Sequence, residues 1–493
     1  MVCGTTSDAG KSTVVAGLCR LLARSGVSVA PFKAQNMSLN SVVTASGHEI
    51  GRAQGFQAFA AGVAPEVAMN PILLKPTGER TSQVVLNGSP WKVMTAAEYH
   101  DVKLDLLPVV LEALADLRSR FDVVLCEGAG SPTEINLLDH DIVNLRIARD
   151  ASMAAIVVGD INPGGVFAAL YGTVVLLPDD LRACVQGLVI NKLRGDPGLL
   201  LDGCAQLSDR TGVPVLGVIP WLDSTGLDAE DSMALDAPVA MAAAALADEL
   251  DVAVVRFPRI SNFTDLDPLT IEAGVRVRYV HDRAGLGAPD LIVLPGSKST
   301  VDDLAWLRHS GLAAEILRSD ATVVGICGGY QMMGVTIDDP VECRTGMVEG
   351  LGMLPVTTCF EPDKVTLQRA GSADGQPVHG YQIHHGRVRP HGGEQFVILD
   401  TPDGPVVDGV RVGRWCGTTL HGLFEADEFR RALLAAVAVH GGKRFTSACR
   451  SFEQTRIEAI DRVADALAEH LDIAAIEQLI ARAASPATTG ARP

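Results

Sequence analysis

Short runs of β-branched residues alternate with longer alanine- and leucine-rich stretches along the first half of the chain. This alternation is typical of a parallel β-sheet whose strands are joined by helices. The predicted strands are residues 27–31, 122–126, 154–159, 185–191 and 213–219, and the predicted helices are 11–24 and 104–119. A second series follows, with strands at 252–257, 275–280, 291–294 and 322–326 and a half-buried strand at 411–418. The pattern predicts two α/β domains.

The length of 493 residues also requires more than one domain, because single domains usually contain about 100–200 residues. Residues 221–248 contain several aspartates and then an alanine run, which is typical of a linker and an entry helix. The last helix is predicted from residue 457 to about 471, with a buried face at 457, 460, 463, 467 and 471. The predicted order is a first domain at 1–225, a linker at 226–250, a second domain at 251–440, and a helix with a disordered tail at 441–493.

The net charge of −18 argues against binding to nucleic acid, because affinity for phosphate backbones comes from basic surface. The longest apolar run, at 237–247, is far shorter than the roughly 20 residues that span a bilayer. The ten cysteines are scattered without a Cys-x-x-Cys pair, which predicts free thiols and no zinc site. We expect a soluble cytoplasmic enzyme, and the sequence leaves a homo-oligomer open.

A glycine-containing loop before the first helix has the ingredients of a phosphate-binding P-loop, with one extra residue between its glycines. The loop is Gly4-Thr5-Thr6-Ser7-Asp8-Ala9-Gly10-Lys11-Ser12. Backbone N–H groups at a helix start point at phosphates, Lys11 can reach the β- and γ-phosphates, and Ser12 can ligate Mg²⁺. The loop predicts ATP binding; the alternative is a glycine-rich turn before a surface helix.

Acidic residues at strand ends are candidates to complete a metal site with Ser12. Glu127 follows the apolar run 123–126, in the position of a Walker B carboxylate. The alternative is an exposed charge at a strand end. Glu49 is a weaker candidate, and Asp160 is a third.

The run around Cys327 predicts a strand, a sharp turn and a helix, with small residues that suit a nucleophile elbow. The N–H of Gly328 and one from the loop 295–298, at Gly296, could form an oxyanion hole. His421, directly after a predicted strand, is the predicted base, and His384 is the next best placed. The alternative is that Cys327 is an inert core thiol.

Four histidines lie close together in the sequence, at positions 379, 384, 385 and 391. No cysteine or carboxylate accompanies them at ligand spacing, and adjacent histidines on a strand face opposite sides. We therefore favour a structural or orienting role over a metal site.

Taken in order, these motifs resemble the cobyric acid synthase family of glutamine-dependent amidotransferases over nearly the whole chain. Besides the P-loop, Cys327 and His421, the resemblance rests on Gln35-Asn36-Met37-Ser38-Leu39-Asn40, Glu49-Ile50-Gly51-Arg52-Ala53-Gln54, Met69-Asn70-Pro71-Ile72-Leu73-Leu74-Lys75-Pro76, Glu127-Gly128-Ala129-Gly130-Ser131-Pro132, Gly164-Gly165-Val166-Phe167 and Asn191-Lys192-Leu193-Arg194-Gly195-Asp196. The resemblance implies a synthetase domain akin to dethiobiotin synthetase. It also implies a flavodoxin-like class I glutaminase of the subtype that keeps Cys and His but lacks the usual third Glu.

The implied reaction is amidation of carboxylates b, d, e and g of adenosylcobyrinic acid a,c-diamide, with glutamine, ATP and Mg²⁺. The resemblance adds Asn191 to the ATP-binding residues and implies that Lys33, Asn36, Arg52 and Lys75 contact the corrinoid polycarboxylate. Basic residues near the synthetase motifs suit such a polyanion, although the same residues could be dispersed solvated charges. They are Lys33, Arg52, Lys75, Arg80, Lys192 and Arg194.

The sequence departs from the family pattern at three places. Asn162-Pro163 replaces the usual Asp-Arg, Gln382 replaces a Glu that could serve as a carboxylate partner, and the first strand is short. The nearest alternative is a sister enzyme that amidates carboxylates a and c. Residues 35–40 and 49–54 favour the cobyric acid synthase family, which acts on the a,c-diamide. The alternative from another class is a partitioning-type ATPase switch with a degenerate glutaminase-like domain. Thr6 stands where such switches carry a lysine. A switch of this kind would also not need an intact pair of Cys327 and His421.

Overall fold

The computed structural model describes residues 1–78, 80–222, 249–447 and 450–484. Nearly all of the predicted linker and the predicted tail at 485–493 lie outside these residues. Contacts divide the chain into two compact units. Unit 1 comprises Met1–Met37, Ile50–Leu227 and Ile457–Pro493, and unit 2 comprises Ser38–Glu49 and Asp228–Arg456. The units therefore interleave along the sequence, whereas the predicted boundaries run in simple order.

Strands and helices alternate along much of the described chain. The strands before residue 223 are β1 (Val2–Gly4), β2 (Val29–Phe32), β3 (Gln35–Met37), β4 (Ser41–Val43), β5 (Glu49–Gly51), β6 (Ile72–Pro76), β7 (Thr81–Leu86), β8 (Ser89–Thr95), β9 (Val123–Cys126), β10 (Ala155–Asp160), β11 (Val185–Leu193) and β12 (Val215–Pro220). The later strands are β13 (Leu250–Val255), β14 (Ile260–Ser261), β15 (Val275–Val280), β16 (Leu291–Leu294), β17 (Gly296–Ser297), β18 (Thr322–Ile326), β19 (Thr336–Asp339), β20 (Gly346–Glu349), β21 (Val356–Ala373), β22 (Gln376–Pro390), β23 (Glu394–Leu399), β24 (Val406–Val412) and β25 (Trp415–Thr418). The α-helices are α1 (Lys11–Arg24), α2 (Arg52–Ala61), α3 (Ala96–Val102), α4 (Leu107–Arg120), α5 (Leu145–Asp150), α6 (Val166–Leu176), α7 (Asp179–Arg182), α8 (Leu201–Thr211), α9 (Asp267–Thr270), α10 (Arg283–Leu286), α11 (Thr300–His309), α12 (Leu312–Arg318), α13 (Gly328–Met333), α14 (Asp427–His440), α15 (Phe452–His470) and α16 (Ile473–Ala484).

The main sheet of unit 1 is parallel, in the order β1-β10-β11-β12. Strands β2 and β9 form a second parallel pair, and a parallel bridge joins Val2 to Glu127 just beyond β9. Because carboxyl ends of parallel strands share one edge, the loop after β1, Asp160 and Asn191 lie at the same edge of this sheet. The predicted parallel α/β fold is confirmed in this unit.

A smaller sheet in unit 1, of order β3-β6-β7-β8, was not predicted. Its hairpin between β7 and β8 turns at Asn87 and Gly88, both with positive φ (47° and 75°). An Asn-Gly pair is a strong hairpin signal, so this part of the fold was readable from the sequence.

Helix α15 packs against α1, where Gly17 allows a close approach. A Cβ at Gly17 would lie 2.5 Å from Leu467 Cδ1 and 2.7 Å from Val463 Cγ1. The predicted buried face is confirmed at Ile460, Val463, Leu467 and Leu471, and the helix begins earlier than predicted, at Phe452.

The large sheet of unit 2 begins with parallel strands in the order β15-β13-β16-β18-β25. It continues through β24, β23, β21, β19 and β20, whose pairings are antiparallel except for the parallel pair of β21 and β19. The single strand predicted at 411–418 is wrong, because the chain turns at Gly413 (φ 58°) between β24 and β25. The long ladder of β21 and β22 also escaped prediction, since glycines and histidines in β22 obscure its alternation.

Within the described residues, no helix is long and apolar enough to cross a membrane.

Candidate functional sites

The phosphate loop of unit 1 is shaped by one close contact. Gly10 has φ 91° and directly precedes α1, and Asn191 Nδ2 donates a hydrogen bond to the carbonyl of Ala9 at 2.9 Å. A Cβ at Gly10 would lie 2.2 Å from Asn191 Nδ2, so this position accepts only glycine. Asn191 thus holds the loop in place at the start of α1. N–H groups at a helix start favour anions.

Lys11 lies across its own loop and is almost fully buried. Its ammonium donates to the carbonyls of Thr6 at 2.8 Å and Ser7 at 2.9 Å. These contacts hold the ammonium over the loop. A phosphate bound there could replace the two carbonyls as its hydrogen-bond acceptor.

Glu127 is the centre of a buried polar cluster in unit 1. Its Oε1 accepts hydrogen bonds from Ser12 Oγ and from Lys33 Nζ, both at 2.8 Å, and its Oε2 accepts from Gln57 Nε2. The side chain of Glu127 has no exposed surface. The structure therefore brings Ser12 and Glu127 together as predicted, places Lys33 on Glu127, and adds Gln57, which sequence reasoning missed.

The pair of Ser12 and Glu127 fits Mg²⁺ in its donor chemistry, because a hydroxyl and a carboxylate oxygen lie within 2.8 Å of each other. The described residues contain no group of three or more His, Cys, Asp or Glu side chains that could hold a metal by themselves. A magnesium ion here would therefore depend on phosphate oxygens and water, which is usual for nucleotide-bound Mg²⁺.

The other two carboxylates predicted as metal ligands are paired with lysines. Asp160 accepts from Lys192 Nζ at 2.7 Å, and Glu49, which belongs to unit 2, forms a buried ion pair with Lys364. Each of these carboxylates therefore has a lysine as its ion-pair partner.

The remaining predicted substrate residues, Asn36, Arg52 and Lys75, are each at most 5% exposed. Asn36 Nδ2 donates to Gln54 Oε1 at 3.0 Å, beside Gly51. Arg52 and Lys75 are cations, and buried charges in proteins are usually paired or hydrogen-bonded.

Cys327 occupies a strained turn between β18 and α13, with φ 49° and ψ −106°. A non-glycine residue with positive φ is uncommon, and such strained positions are concentrated at functional sites. The turn is held by a hydrogen bond from the N–H of Cys327 to the carbonyl of Thr418 at 2.8 Å. A Cβ at Gly329 would lie 1.9 Å from the carbonyl oxygen of Leu294, so the elbow requires glycine there. The predicted elbow geometry is present.

The two predicted oxyanion residues lie beside the predicted catalytic pair. A Cβ at Gly328 would lie 2.8 Å from the Ser297 nitrogen, and a Cβ at Gly296 would lie 3.0 Å from His421 Cε1. The N–H of Gly328 opens α13 and so has no acceptor within the helix. Gly328 therefore lies close to Ser297, and Gly296 lies close to the His421 ring.

His421 has a carboxylate partner that sequence reasoning missed. Its Nδ1 lies 2.7 Å from Asp265 Oδ2, and Asp265 Oδ1 accepts from the N–H of Gly422 at 3.0 Å. Both side chains are at most 2% exposed. Burial by itself lowers the pKa of His421, but negative charge on Asp265 and Cys327 and hydrogen bonds to both raise it to about 10. The imidazole is therefore protonated at neutral pH and faces Cys327.

Asp265 lies 156 positions before His421, in the one-turn segment Phe263–Leu266. The family resemblance implies a subtype without the usual third Glu and does not indicate which residue takes its place. The sequence signal was a polar run, Asn262 to Asp265, interrupted by an aromatic residue.

The hydrogen bonds of Gln382 explain why this chain has glutamine where the family pattern has glutamate. Its Nε2 donates to Asp408 Oδ1 at 3.0 Å and to Thr419 Oγ1 at 2.7 Å. A glutamate at this position would instead place a second carboxylate against Asp408, with no N–H to donate. Gln382 thus supports the strand end before His421, while Asp265 supplies the carboxylate.

The histidines that lie close together in the sequence differ in their surroundings. Burial lowers the pKa of His384 to about 3, which keeps its imidazole neutral. His385 Nδ1 lies 3.0 Å from the carbonyl of Glu361, and His391 Nε2 lies 2.7 Å from Thr357 Oγ1. His385 and His391 therefore contact different neighbours.

Two family models match the chain. Residues 1–233 match the "CobQ/CobB/MinD/ParA nucleotide binding domain", and residues 251–429 match the "CobB/CobQ-like glutamine amidotransferase domain". The chain is therefore a glutamine amidotransferase fused to a nucleotide-binding domain, and the predicted fold class is confirmed.

Relatives that match this chain over nearly its full length identify the family within this class of amidotransferase. The cobyric acid synthase of Rhodococcus jostii is 51% identical over 97% of this chain and 95% of its own length. The cobyric acid synthases of Frankia casuarinae and Streptomyces coelicolor are 50% and 49% identical, over 98% and 97% of this chain and 96% of their own lengths. The chain belongs to the cobyric acid synthase family, as its motifs predicted, and is a glutamine-hydrolysing amidoligase.

Proposed function

We propose that this chain amidates carboxylates b, d, e and g of adenosylcobyrinic acid a,c-diamide in cobalamin biosynthesis, with glutamine as the nitrogen donor and ATP as the activating agent. The observation that carries this proposal is the buried arrangement of Cys327, His421 and Asp265, in a chain that also has a P-loop and matches cobyric acid synthases over nearly its full length.

Glutamine hydrolysis would begin with attack of the Cys327 thiolate on the side-chain carboxamide carbon. The oxyanion would be stabilised by N–H groups at Gly328 and Gly296. Protonated His421 would donate its proton to the departing nitrogen, so that ammonia leaves and a γ-glutamyl thioester remains. Water, deprotonated by the now neutral His421, would then release glutamate and regenerate the pair. Asp265 acts as a positioning residue that fixes the ring and stabilises its charge.

Amidation would begin with attack of a corrinoid carboxylate oxygen on the γ-phosphorus of ATP, which releases ADP and leaves an acyl phosphate. Ammonia would then displace inorganic phosphate from the acyl carbon and lose a proton, giving the amide. Lys11 and the N–H groups after Gly10 hold the phosphates, with Asn191 supporting the loop. Ser12 and Glu127 would hold Mg²⁺, which when bound neutralises phosphate charge.

Corrinoid binding is assigned to Asn36, Arg52 and Lys75, with Lys33 linking this region to Glu127. Cationic side chains in a buried polar setting favour a polycarboxylate, even though the whole chain carries a net charge of −18. We place the enzyme in the cytoplasm, where ATP is available and where free thiols, such as those of the nine described cysteines, persist.

The proposal is tested by measuring glutamate release from glutamine with and without ATP and adenosylcobyrinic acid a,c-diamide. We expect hydrolysis that rises when both are present, together with amide formation. Absence of amide formation on this corrinoid, with activity on carboxylates a and c of cobyrinic acid instead, would favour the sister enzyme and overturn the proposal.

Replacing Asp265 with asparagine is expected to lower glutaminase kcat by on the order of 10²-fold, because proton transfer by a positioned side chain is worth at least that much. The loss of negative charge also lowers the pKa of His421 from about 10. The imidazolium that stabilises the Cys327 thiolate is then lost at lower pH, so iodoacetamide labelling of Cys327 at neutral pH slows.

The matched control for this variant is Asp267→Asn, two residues along on α9. Ammonia-dependent amidation should be unchanged in both variants. Wild-type glutaminase and labelling rates in Asp265→Asn would show that Asp265 does not position His421.

A further inference from the structure

The segment Ser38–Glu49, which we call the arm, belongs to unit 2 although the sequence on both sides of it belongs to unit 1. Asn40 and Ser41 of the arm are fully buried. Their hydrogen bonds lead to the residues that support His421, and the glutaminase steps proposed above do not use them.

The arm and the segment carrying Asp265 exchange reciprocal hydrogen bonds. Asn40 Oδ1 accepts from the N–H of Phe263 at 3.2 Å, and Asn262 Oδ1 accepts from the N–H of Ser41 at 2.9 Å. Asn262 has φ 51°, a left-handed conformation that asparagine tolerates better than most residues. This exchange, which we call the Asn40–Asn262 clasp, fixes the start of the one-turn segment that ends in Asp265 and Leu266.

The arm also binds Tyr381, which stacks on the His421 ring. Tyr381 stacks on the His421 ring at 5.3 Å between centroids, and its hydroxyl donates to the carbonyl of Ser41 at 3.0 Å. The backbones of Tyr381 and His421 form a reciprocal bridge as well, at 3.1 and 2.9 Å. Ser41 therefore contacts both supports of the imidazole, Asn262 through its N–H and Tyr381 through its carbonyl.

Both ends of the arm continue into the polar cluster around Glu127. Before the arm, β3 follows Lys33, whose ammonium binds Glu127; after it, α2 carries Gln57, which binds the other oxygen of the same carboxylate. The backbone therefore connects each end of the arm, over a short stretch of chain, to a residue that binds Glu127. A displacement of these residues can be transmitted to the arm from either end.

We propose that Asn40 and Asn262 are positioning residues for glutamine hydrolysis, and that the arm makes the alignment of His421 depend on the state of the Glu127 cluster. Binding of ATP and corrinoid would then stabilise the arm conformation that holds Asp265 and Tyr381 against His421. Glutamine would be hydrolysed fastest when the ammonia has an acceptor. This inference rests on the proposed function, since it presupposes glutaminase and synthetase activities in one chain.

The test uses two variants of the full chain, Asn40→Ala and Asn262→Gly. The second removes the acceptor but keeps a residue that adopts positive φ without strain. The matched control is Thr366→Val, which removes a different hydrogen bond to the arm, from Thr366 Oγ1 to the carbonyl of Gly47. Glutaminase kcat and glutamine KM are measured with and without ATP and corrinoid, beside ammonia-dependent amidation and the pH dependence of iodoacetamide labelling at Cys327.

We expect both clasp variants to lose on the order of 10–100-fold in stimulated glutaminase kcat, since small misplacements of catalytic groups have effects of this size. Glutamine KM and ammonia-dependent amidation should stay near wild type, stimulation by ATP and corrinoid should shrink, and labelling should require higher pH. Thr366→Val should behave as wild type.

Wild-type stimulation and labelling in both clasp variants would overturn the inference, as would an equal loss in Thr366→Val. An equal loss of ammonia-dependent amidation would also overturn it, because the effect would then extend beyond His421. Wild-type protein that hydrolyses no glutamine would instead contradict the proposed function, which keeps the two failures distinguishable.

Discussion

Replacing Cys327 with alanine is expected to abolish glutamine-dependent amidation while leaving amidation with high concentrations of ammonia intact. Removing the nucleophile of a cooperative catalytic group costs on the order of 10⁴–10⁶ in kcat, because the remaining residues cannot form the covalent intermediate. The ATP-dependent step is proposed to use Lys11, Ser12 and Glu127, which belong to unit 1, and so to need no thiol. The measurement is amide formation with each nitrogen source, with glutamate release followed in parallel.

The control is Cys359→Ala, which removes another cysteine of unit 2 from β21. It should retain both activities. If Cys327→Ala loses ammonia-dependent amidation while its circular dichroism and thermal midpoint match wild type, the two activities are not separable and the assignment of Cys327 is wrong.

Replacing Lys11 with alanine is expected to have the complementary effect. Amidation should fall by on the order of 10²–10³-fold with either nitrogen source, because a preorganised charge on the transferring phosphoryl group is lost. Basal glutaminase should persist, since Cys327, His421 and Asp265 are untouched. Stimulation of that glutaminase by ATP should disappear, and ATP binding measured by calorimetry should weaken.

Lys92→Ala is the matched control, because Lys92 lies on the exposed face of β8 in the same unit. It should amidate at the wild-type rate. Near-normal amidation in Lys11→Ala would remove the P-loop from the mechanism, whatever the fate of ATP binding.

The site residues that the sequence predicts are those that belong to a recognisable local pattern. Lys11 follows a glycine loop and opens a helix, Glu127 ends a strand, and Cys327 sits where small residues allow a tight turn. Parallel topology then places strand-end residues at one edge, so their proximity follows from local signals. His421 was found in this way although its strand was predicted with the wrong start.

Long-range partners carried no such pattern. Asp265 and His421 meet because β-strands far apart in sequence bring two short loops together, and a single buried carboxylate has no local signature. Gln57 reaches Glu127 from a helix whose polar residues look like a solvated face. Ser38–Glu49 overlaps the ends of two family motifs, at 35–40 and 49–54, yet neither periodicity nor composition indicates that it folds with the second half of the chain.

The central claim is that one chain hydrolyses glutamine and places the resulting nitrogen on ATP-activated corrinoid carboxylates. It is tested most directly by incubating the purified protein with adenosylcobyrinic acid a,c-diamide, ATP, Mg²⁺ and glutamine labelled with ¹⁵N at the side-chain amide. Mass spectrometry of the corrinoid is predicted to show ¹⁵N in the new amides at positions b, d, e and g, and none when ATP is omitted or Cys327 is replaced by alanine. A corrinoid that gains no ¹⁵N, or gains it without ATP, would contradict the claim.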